Sequence, residues 1–333
     1  MSYLFVNDKG AEIHLNANYV EVKLKNNGVR RIPIENLEAI YMFDYVQITS
    51  QCIVECFKKG ISISYFSKGG SYFGRLQSTG HVNTFRQRQQ IKLSDTDFSL
   101  KMAQKIIKGK IHNQIVILRR YARSRGVNLK KEILSMQLSL DKIDLCKTIN
   151  EIIGYEGNAA RIYFQCLGKL VDDDFKFEKR SRRPPLDEFN SMLSLGYSIL
   201  MNEIYSRVEN KGLNPYFGFI HQDKEKHPTL VSDIIEEWRA VIIDSMVMSL
   251  VNGHEIGLEH FSGNLDEPGI YLTREGLNIF LHKYDTKMQN SARYLPYIDY
   301  SATFRHSIDL QINCMVKAIE TGNIDEYNPI WLG

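Results

Sequence analysis

The spacing of apolar residues changes once along the chain, and this change constrains the fold more than any other feature. In residues 1–80 apolar and polar side chains alternate, as from Tyr19 to Leu24, and the pair Asn27-Gly28 predicts a hairpin turn into a second strand from Val29 to Ile34. From about residue 90 the apolar spacing becomes that of a helix. The sequence therefore predicts an α+β protein, with an N-terminal β-rich domain followed by a larger all-α domain.

Three regions follow from this change of period. Residues 1–80 form the strand-rich domain, interrupted by a short helix that begins at Ser50 as N-cap and ends at Gly60. The polar residues 81–95 are predicted to be a linker, and residues 96–333 the helical domain. Predicted helices there cover about residues 95–123, 129–139, 141–153, 156–171, 187–208, 229–251, 273–288 and 301–321, the last of them bracketed by Ser301 and Gly322.

The composition excludes several classes of protein. Of the 333 residues 43% are apolar and 24% are charged, which is typical of a globular protein and not of a disordered or collagen-like chain. There is no uncharged apolar run of about 18 residues and no signal-peptide pattern at the N-terminus, so we expect a cytoplasmic protein without membrane contact. The five cysteines include no CxxC pair and are expected to be reduced, mostly buried thiols.

Positive charge is concentrated in one segment. Residues 81–131 contain 13 basic and two acidic side chains, and residues 101–131 contain no acid. On the helix that begins near Asp95, one face carries a basic stripe of Lys101, Lys105, Lys108, His112, Arg119 and Arg123. A solvated helix face normally mixes acids with bases, so the basic stripe indicates binding to a polyanion through its phosphates. A second basic cluster, from Lys176 to Arg183, is expected on a loop because two prolines follow it.

Acidic residues are concentrated on the helix predicted over 229–251. Projected as a helix, they share an arc about 100° wide, which comprises Asp233, Glu236, Glu237 and Asp244. Such an arc is by itself more often an exposed acidic face than a binding site. His221, in the loop before the helix, can point at its first acidic turn, although a single histidine is usually structural. His227, beside Pro228, is as readily explained as a helix-entry residue.

A further acid, Glu156, lies between Gly154 and Gly157. Little side chain surrounds it, so another helix or a ligand can approach closely. The alternative is a surface glutamate at a helix start, where the helix dipole favours it. One imidazole with two or three carboxylates suits Mg²⁺ or Mn²⁺, and a cation held in this way can polarise a phosphodiester. Together with the basic stripe, these residues suggest metal-dependent phosphodiester chemistry on nucleic acid.

Several short motifs occur in a fixed order along the helical region. They are Gly154-Tyr155-Glu156-Gly157 with Ala160 and Tyr163-Phe164, then Arg182-Arg183-Pro184-Pro185 with Asp187, Asn190, Leu193 and Gly196-Tyr197, then Gly218-Phe219-Ile220-His221, and last Asp233-Ile234-Ile235-Glu236-x-Trp238-Arg239. No single motif is specific. Their ordered combination resembles the CRISPR-associated integrase/endonuclease family that inserts spacers into the CRISPR array, the Cas-one family, and the predicted architecture matches that family along essentially the whole chain.

The resemblance implies roles for individual residues. Glu156, His221 and Glu236 would be the catalytic residues and the ligands of a Mg²⁺ or Mn²⁺ ion, with Asp233 as a supporting or alternate ligand. Arg182, Arg183 and Asn190 would bind DNA or brace the site. The chain departs from the family pattern at Glu237 and Ala240, where proline is common, which leaves Glu237 as an alternative to Glu236. Glu236 is preferred because it keeps the family's spacing of one turn from Asp233.

The resemblance also implies a reaction and partners. The 3′-hydroxyl of a short double-stranded DNA fragment attacks a phosphodiester at the edge of a CRISPR repeat, and the metal ion stabilises the attacking and leaving oxygens. The protein would act as a homodimer paired through its strand-rich domains and bridged by the small Cas-two protein. The DNA backbone would run along the basic stripe without base readout. Two alternatives stay open, namely a stand-alone metal-dependent nuclease and a non-catalytic DNA-binding scaffold.

Overall fold

The structure, a computed structural model, describes residues 2–221, 224–263 and 269–333. Strands dominate the chain as far as residue 76, and helices dominate the remainder. The predicted α+β fold class, with a β-rich N-terminal region before a larger helical region, is therefore confirmed.

The N-terminal region contains two four-stranded sheets. The strands are β1 (Ser2–Val6), β2 (Glu12–Asn16), β3 (Tyr19–Lys23), β4 (Val29–Pro33), β5 (Leu37–Phe43), β6 (Gln47–Ile48), β7 (Ser62–Phe66) and β8 (Tyr72–Leu76), and helix α1 (Ser50–Lys59) lies between β6 and β7. The first sheet has the order β1-β5-β7-β8 and the second the order β4-β3-β2-β6. The predicted hairpin is the β3–β4 pair, which is confirmed, but its loop lies one to two residues earlier. The backbone N–H of Leu24 donates a hydrogen bond to the backbone oxygen of Gly28 at 2.8 Å. Asn27 adopts the left-handed φ of 62° that closes the loop.

The inner strands of the first sheet, β5 and β7, are buried on both faces. Successive side chains of a strand point to opposite sides, so Tyr41 and Phe43 pack among the helices whereas Ile40 and Met42 pack against the second sheet. The first sheet is thus the middle layer of the molecule. The helical core extends onto it, and the division of the chain at residue 80 into separate domains stays a prediction.

The rest of the described chain contains nine further α-helices and two short sheets. The helices are α2 (Thr84–Ser94), α3 (Asp97–Arg125), α4 (Lys130–Lys142), α5 (Ile149–Leu170), α6 (Glu188–Asn210), α7 (Thr229–Trp238), α8 (Ser245–Asn252), α9 (Arg274–Gln289) and α10 (Phe304–Thr321), and a π-helical segment (Arg239–Asp244) joins α7 to α8. Strand β9 (Phe261–Gly263) pairs with β10 (Ile270–Leu272), and β11 (Ser291–Ala292) pairs with β12 (Ala302–Thr303). None of the described helices is long and apolar enough to cross a membrane. All five cysteines are free, and four of them are buried.

The predicted helix ends are confirmed at two glycines and wrong at two serines. Gly60 and Gly322 follow α1 and α10 with φ values of 70° and 65°, a conformation that glycine adopts without strain. The N-cap of α10 is Thr303 rather than Ser301, and its side chain accepts a hydrogen bond from the backbone of the first turn. The N-cap of α1 is Thr49, one residue before the predicted Ser50.

Helix α2 occupies most of the segment predicted to be a linker. The Asn83 side chain begins the helix by accepting a hydrogen bond from Arg86 N at 3.0 Å. Gln90, which is fully buried, then donates to the backbone oxygens of Asn214 at 2.8 Å and Phe217 at 2.6 Å. The segment is helical because its polar side chains bind the neighbouring loop, and polar composition alone does not distinguish this case from a flexible linker.

Helix α5 is continuous, although two helices were expected with a break between residues 153 and 156. Gly154 and Gly157 each cost roughly 1 kcal/mol in a helix interior. The helix forms nevertheless because the face opposite the two glycines packs on α3 and α4. Ile152 and Tyr163 on that face are fully buried. Glu156 therefore lies within a helix, and its interpretation as a surface residue at a helix start is wrong.

A buried ion network attaches the first sheet to the helices. Arg305 on α10, which is 5% exposed, donates to Glu203 on α6 at 3.1 Å and to Asp285 on α9 at 2.8 Å. The Arg305 guanidinium also lies 4.0 Å above the ring of Tyr3 on β1. Charges removed from water in this way are stable only when paired, so the network fixes these helices against the sheet.

Replacing Arg305 by alanine should destabilise the whole molecule, because the buried Glu203 carboxylate loses its nearest cation. We expect the free energy of unfolding, measured with urea, to fall by about 3–5 kcal/mol. The control Lys169→Ala removes a pair with Glu132 that is largely exposed to solvent, and should change it by less than about 1 kcal/mol. Equal losses from the two variants would contradict the proposed role of the network.

Candidate active site

Three helices that are distant in sequence meet around one buried lysine. Helix α3 packs against both α5 and α7. Lys110 on α3 contacts Glu156 Oε1 on α5, and its Nζ lies 2.6 Å from Glu236 Oε2 on α7. Lys110 and Glu236 are 7% and 5% exposed. With Arg239, these three residues form what we call the carboxylate cluster.

Positive charge keeps the buried carboxylate of Glu236 ionised. Arg239, one turn further along the chain, donates to Glu236 Oε1 at 2.6 Å. Burial alone would raise the pKa of Glu236, but Arg239 and Lys110 together outweigh burial and lower this pKa to about 2. Burial would in turn lower the pKa of Lys110, and the carboxylates of Glu236 and Glu156 raise it. The two acids of the carboxylate cluster are therefore arranged around a buried cation, the ammonium group of Lys110.

Asp233 anchors the loop that carries His221. Its fully buried carboxylate accepts hydrogen bonds from the backbone N–H groups of Phe219 at 2.6 Å, Ile220 at 3.0 Å and His221 at 3.2 Å. The loop must approach closely for this, because a Cβ at Gly218 would lie only 2.7 Å from Asp233 Oδ2. Asp233 is thus saturated with donors from the loop.

The same carboxylate orients the imidazole. Asp233 Oδ1 lies 2.6 Å from His221 Nδ1, and this hydrogen bond raises the pKa of His221 while burial opposes the rise. Glu236 also contributes to the rise, so the imidazole is within electrostatic reach of the carboxylate cluster. Among the described residues none forms a hydrogen bond with Nε2. A histidine fixed at Nδ1 by a carboxylate commonly offers Nε2 as a metal ligand, so this geometry fits the supporting role predicted for Asp233.

Glu237 faces away from this site. Its fully buried carboxyl group accepts hydrogen bonds from Tyr327 Oη at 2.5 Å, Gln311 Nε2 at 2.6 Å and Ile330 N at 2.8 Å. Burial raises the pKa of Glu237 to about 8, against the effect of these hydrogen bonds. Because metal ligands must be deprotonated, the geometry favours Glu236 over Glu237 as a ligand.

The fourth acid of the predicted arc, Asp244, has its own partners. All four acids are buried, so the interpretation of this arc as an exposed acidic face is wrong. Asp244 accepts hydrogen bonds from Tyr163 at 2.8 Å and from Tyr197, and burial raises the pKa of its carboxyl to about 6. The ring of Tyr197 lies 5.2 Å from Arg239 and 5.3 Å from Arg180. The π-helical segment sets the position of Asp244, and such segments are frequent at functional sites.

The donor atoms present suit a hard divalent cation, although they are not yet gathered around one. Among the described residues, no three His, Cys, Asp or Glu side chains are already arranged to hold a metal ion. Glu236 Oε2 is buried against the Lys110 ammonium at 2.6 Å and receives no other hydrogen bond from a described residue, so a metal ion can bind there in place of the ammonium. The Glu156 side chain is 21% exposed, so a ligand can approach the cluster from this side. Two carboxylates and one imidazole nitrogen match the preferences of Mg²⁺ and Mn²⁺.

The basic stripe is only partly free. Lys101, Arg119 and Arg123 are exposed. Lys105 donates to the backbone oxygens of Ile324 at 2.9 Å and Tyr327 at 2.8 Å. Further along the stripe, Lys108 pairs with Asp144 at 2.5 Å, and His112 stacks on Trp331 with ring centroids 3.8 Å apart. The stripe therefore also fastens the C-terminal segment, and DNA contact by Lys105 and Lys108 stays a prediction.

The residues predicted on and after the second basic cluster have different positions. Arg182 and Arg183 are exposed and line a cleft of about 540 Å³. Asn190 is fully buried, where it accepts a hydrogen bond from Ser181 N at 3.1 Å and donates to Lys179 O at 2.9 Å. Of the two roles expected for Asn190, its buried position fits the bracing of this loop, and direct DNA contact stays a prediction.

The most important residue that sequence reasoning missed is Lys110. It lies on the opposite side of α3 from Lys101, among fully buried neighbours such as Ile106 and Ile111. A lysine on an apolar helix face must be paired with acids when it is buried. That signal was present in the sequence, although it does not indicate which acids are the partners.

The fold and the site define an α+β protein whose helical region holds paired acids around one cation, beside an oriented histidine. The family model described as CRISPR associated protein Cas1 matches residues 4–286. The CRISPR-associated endonuclease Cas1 of Mycobacterium tuberculosis is 37% identical over 324 residues, which cover 97% of this chain and 95% of that protein. The chain belongs to the Cas1 family, as the ordered motifs predicted.

Two solved structures share this fold. The structure of a casposase bound to integration product has a TM-score of 0.85 at 20% identity, with 97% of this chain and 91% of that chain covered. A chain of a Cas6-RT-Cas1–Cas2 complex has a TM-score of 0.84 at 23% identity, with 99% of this chain and 36% of that chain covered. At these identities the likeness concerns the fold alone.

The Asp233→Asn variant should lower the pKa of His221, because the hydrogen bond to a charged carboxylate is what raises this pKa. The measurement is an NMR titration of the imidazole ring protons in metal-free protein. Asp187→Asn, which removes a carboxylate that caps α6, is the matched control and should leave the His221 titration unchanged. An unchanged His221 titration in Asp233→Asn would show that Asp233 does not control the imidazole.

Proposed function

We propose that this chain is a divalent-metal-dependent DNA integrase and endonuclease of CRISPR spacer acquisition. The observation that carries the proposal is the carboxylate cluster, in which Glu156 and Glu236 share one buried cation close to an imidazole fixed at Nδ1. Membership of the Cas1 family supports the proposal, since relatives at 37% identity are named endonucleases.

Glu156, His221 and Glu236 are the residues proposed to hold the metal ion. Asp233 keeps His221 in place, and Arg239 holds Glu236 through Oε1. A bound Mg²⁺ or Mn²⁺ supplies a Lewis acid that stabilises negative charge on a phosphodiester under attack. The imidazole nitrogen among the ligands favours Mn²⁺ somewhat over Mg²⁺.

The proposed reaction is a transesterification. The 3′-hydroxyl of a short DNA fragment gives up its proton and its oxygen forms a new bond to phosphorus in the CRISPR repeat. The bond from phosphorus to the leaving sugar oxygen breaks, and that oxygen takes up a proton, so no net proton is consumed. One phosphodiester replaces another, so no external energy source is required. Attack by water in place of the 3′-hydroxyl gives cleavage at the same site, which is the nuclease alternative.

Exposed basic residues are proposed to hold the DNA backbone. Lys101, Arg119 and Arg123 lie on the exposed part of α3, and Arg182 and Arg183 line the cleft beside the first sheet. Contacts of this kind position the duplex without reading its bases. DNA in this cleft would pass near the His221 side of the site, since Arg183 acts electrostatically on His227, whose ring lies 6.5 Å from that of His221.

The proposed assembly contains a second copy of this chain and a Cas2 protein. One structural neighbour of the same fold is part of a Cas6-RT-Cas1–Cas2 complex, and another is a casposase bound to an integration product. Pairing through the strand-rich regions, expected from the family resemblance, would bring two active sites to the two ends of one DNA fragment.

Glu156→Gln and Glu236→Gln should each reduce strand transfer by at least about a hundredfold, because each removes a charged ligand rather than a residue that merely supports one. The measurement is joining of a short labelled duplex to a plasmid that carries a CRISPR repeat, with Mn²⁺ or Mg²⁺ and the Cas2 partner.

Glu237→Gln is the matched control for this experiment. Its amide resembles the protonated carboxyl that burial favours, and its side chain faces the C-terminal segment, so strand transfer should stay within a few-fold of the original chain. Full activity in Glu236→Gln would contradict the proposed ligand set. Cleavage without joining by the original chain would favour the nuclease alternative, and DNA binding without either activity would favour the scaffold.

Replacing Lys101, Arg119 and Arg123 by alanine should weaken DNA binding regardless of sequence. The slope of log affinity against log salt should become shallower by up to about 0.9 for each lost phosphate contact on duplex DNA. Fluorescence anisotropy at several salt concentrations measures this slope. Lys169→Ala serves as the control, and an unchanged slope in the triple variant would exclude this face of α3 from the DNA path.

A further inference from the structure

Lys110 holds the position between the two carboxylates that the proposed function gives to a metal ion. Glu236 Oε1 is bound by Arg239 and Glu236 Oε2 by Lys110, each at 2.6 Å, and Lys110 also contacts Glu156. Both oxygens of Glu236 thus already have a cation as neighbour. A divalent ion bound by both carboxylates has to take over the contacts of one of these cations.

Of the two cations, Lys110 is the one that can leave. The Arg239 guanidinium is fixed by its hydrogen bond to Glu236 and by the ring of Tyr197, 5.2 Å away. The Lys110 ammonium is a single charge on a flexible four-carbon stem, and the two carboxylates are its only ion-pair partners in the described part of the chain. Rotation of this side chain can move the charge toward the partly exposed side of the cluster at Glu156, without any change in α3.

The charges of the carboxylate cluster are balanced before any metal binds. The two acids, Glu156 and Glu236, face the two bases, Lys110 and Arg239. Addition of a divalent ion leaves an excess of positive charge at a partly buried position, which is unfavourable without an anion nearby. A DNA phosphate is such an anion, and a displaced Lys110 would be close enough to the site to pair with it.

We infer that Lys110 is a resident cation that joins Glu156 to Glu236 in the metal-free protein, competes with the divalent ion for them, and pairs with a DNA phosphate once displaced. This inference rests on the proposed function and extends it. Lys110 then acts as a positioning residue that couples the two binding events. Since such coupling is reciprocal, DNA strengthens metal binding as much as the metal strengthens DNA binding.

Metal affinity in the absence of DNA tests the competition directly. Calorimetric titration of Mn²⁺ into chelator-treated protein should show that Lys110→Met binds at least about tenfold more tightly than the original chain, because close charge pairs are coupled at least this strongly. Lys169→Met removes another lysine–glutamate pair far from the cluster and should not change the affinity. Affinity in Lys110→Met equal to or weaker than that of the original chain overturns the inference.

A second variant keeps the test sound if Lys110→Met folds poorly. Lys110→Arg retains the charge and can grip both carboxylates with a planar fork, so its Mn²⁺ affinity should fall below that of the original chain. Stronger Mn²⁺ binding by Lys110→Arg overturns the inference. In thermal unfolding, Mn²⁺ should raise the Tm of Lys110→Met more than that of the original chain, and an equal rise also counts against competition.

The coupling and the metal site can fail separately. Anisotropy of a labelled duplex should show that Mn²⁺ strengthens DNA binding by the original chain more than by Lys110→Met, and equal strengthening overturns the coupling. If Glu156→Gln abolishes Mn²⁺ binding while Lys110→Met leaves it unchanged, the metal site stands and the role of Lys110 falls. If neither the original chain nor Lys110→Met binds Mn²⁺, the metal site and the inference fall together.

Discussion

A buried carboxylate, Glu236, and a partly buried one, Glu156, lie close together and require positive charge between them, and Lys110 meets this requirement. Each ion removed from water costs several kcal/mol unless it is paired with good geometry. The arrangement of the surrounding helices follows from this pairing. Helix α3 must run unbroken past residue 110, α5 must continue through Gly154 and Gly157 to bring Glu156 to α3, and α7 must cross them with Glu236 turned inward.

Helix α7 places its acids in three different environments within about one turn. Asp233 fastens the loop before the helix and orients His221, Glu236 joins the carboxylate cluster, and Glu237 binds the C-terminal segment through Tyr327 and Ile330. The position of Glu236 is thus supported from both sides. Tyr327 and Ile330 therefore help to hold α7, the helix that carries Glu236, although they do not contact Glu236 themselves.

The sequence predicted much of the fold because local patterns determine local structure. Alternation of polar and apolar residues predicted the β3–β4 hairpin. Gly60 and Gly322 marked the ends of two helices, where the residue after the helix adopts a positive φ. Strand β1 escaped prediction because its run from Tyr3 to Val6 is apolar throughout and shows no alternation. Helix α2 escaped it because its key contact, from Gln90 to the loop at Asn214, joins residues far apart in sequence.

The candidate site shows the same division. The ordered motifs identified the family, and Glu156 and Glu236 do meet at one point in the structure. A helical projection shows which face of α7 is acidic, but it cannot show that each acid has a different partner. It also cannot pair Lys110 with acids 46 and 126 residues away. Contacts between distant helices decided what each of these charged side chains does.

The most direct test of the central claim is a structure of the chain crystallised with Mn²⁺, with anomalous diffraction recorded at the manganese edge. We predict an anomalous peak enclosed by the carboxylates of Glu156 and Glu236 and by Nε2 of His221, with Lys110 moved away from both acids. A peak elsewhere, or Lys110 still between the two carboxylates in crystals that bind manganese, would contradict the claim that this cluster is the metal site.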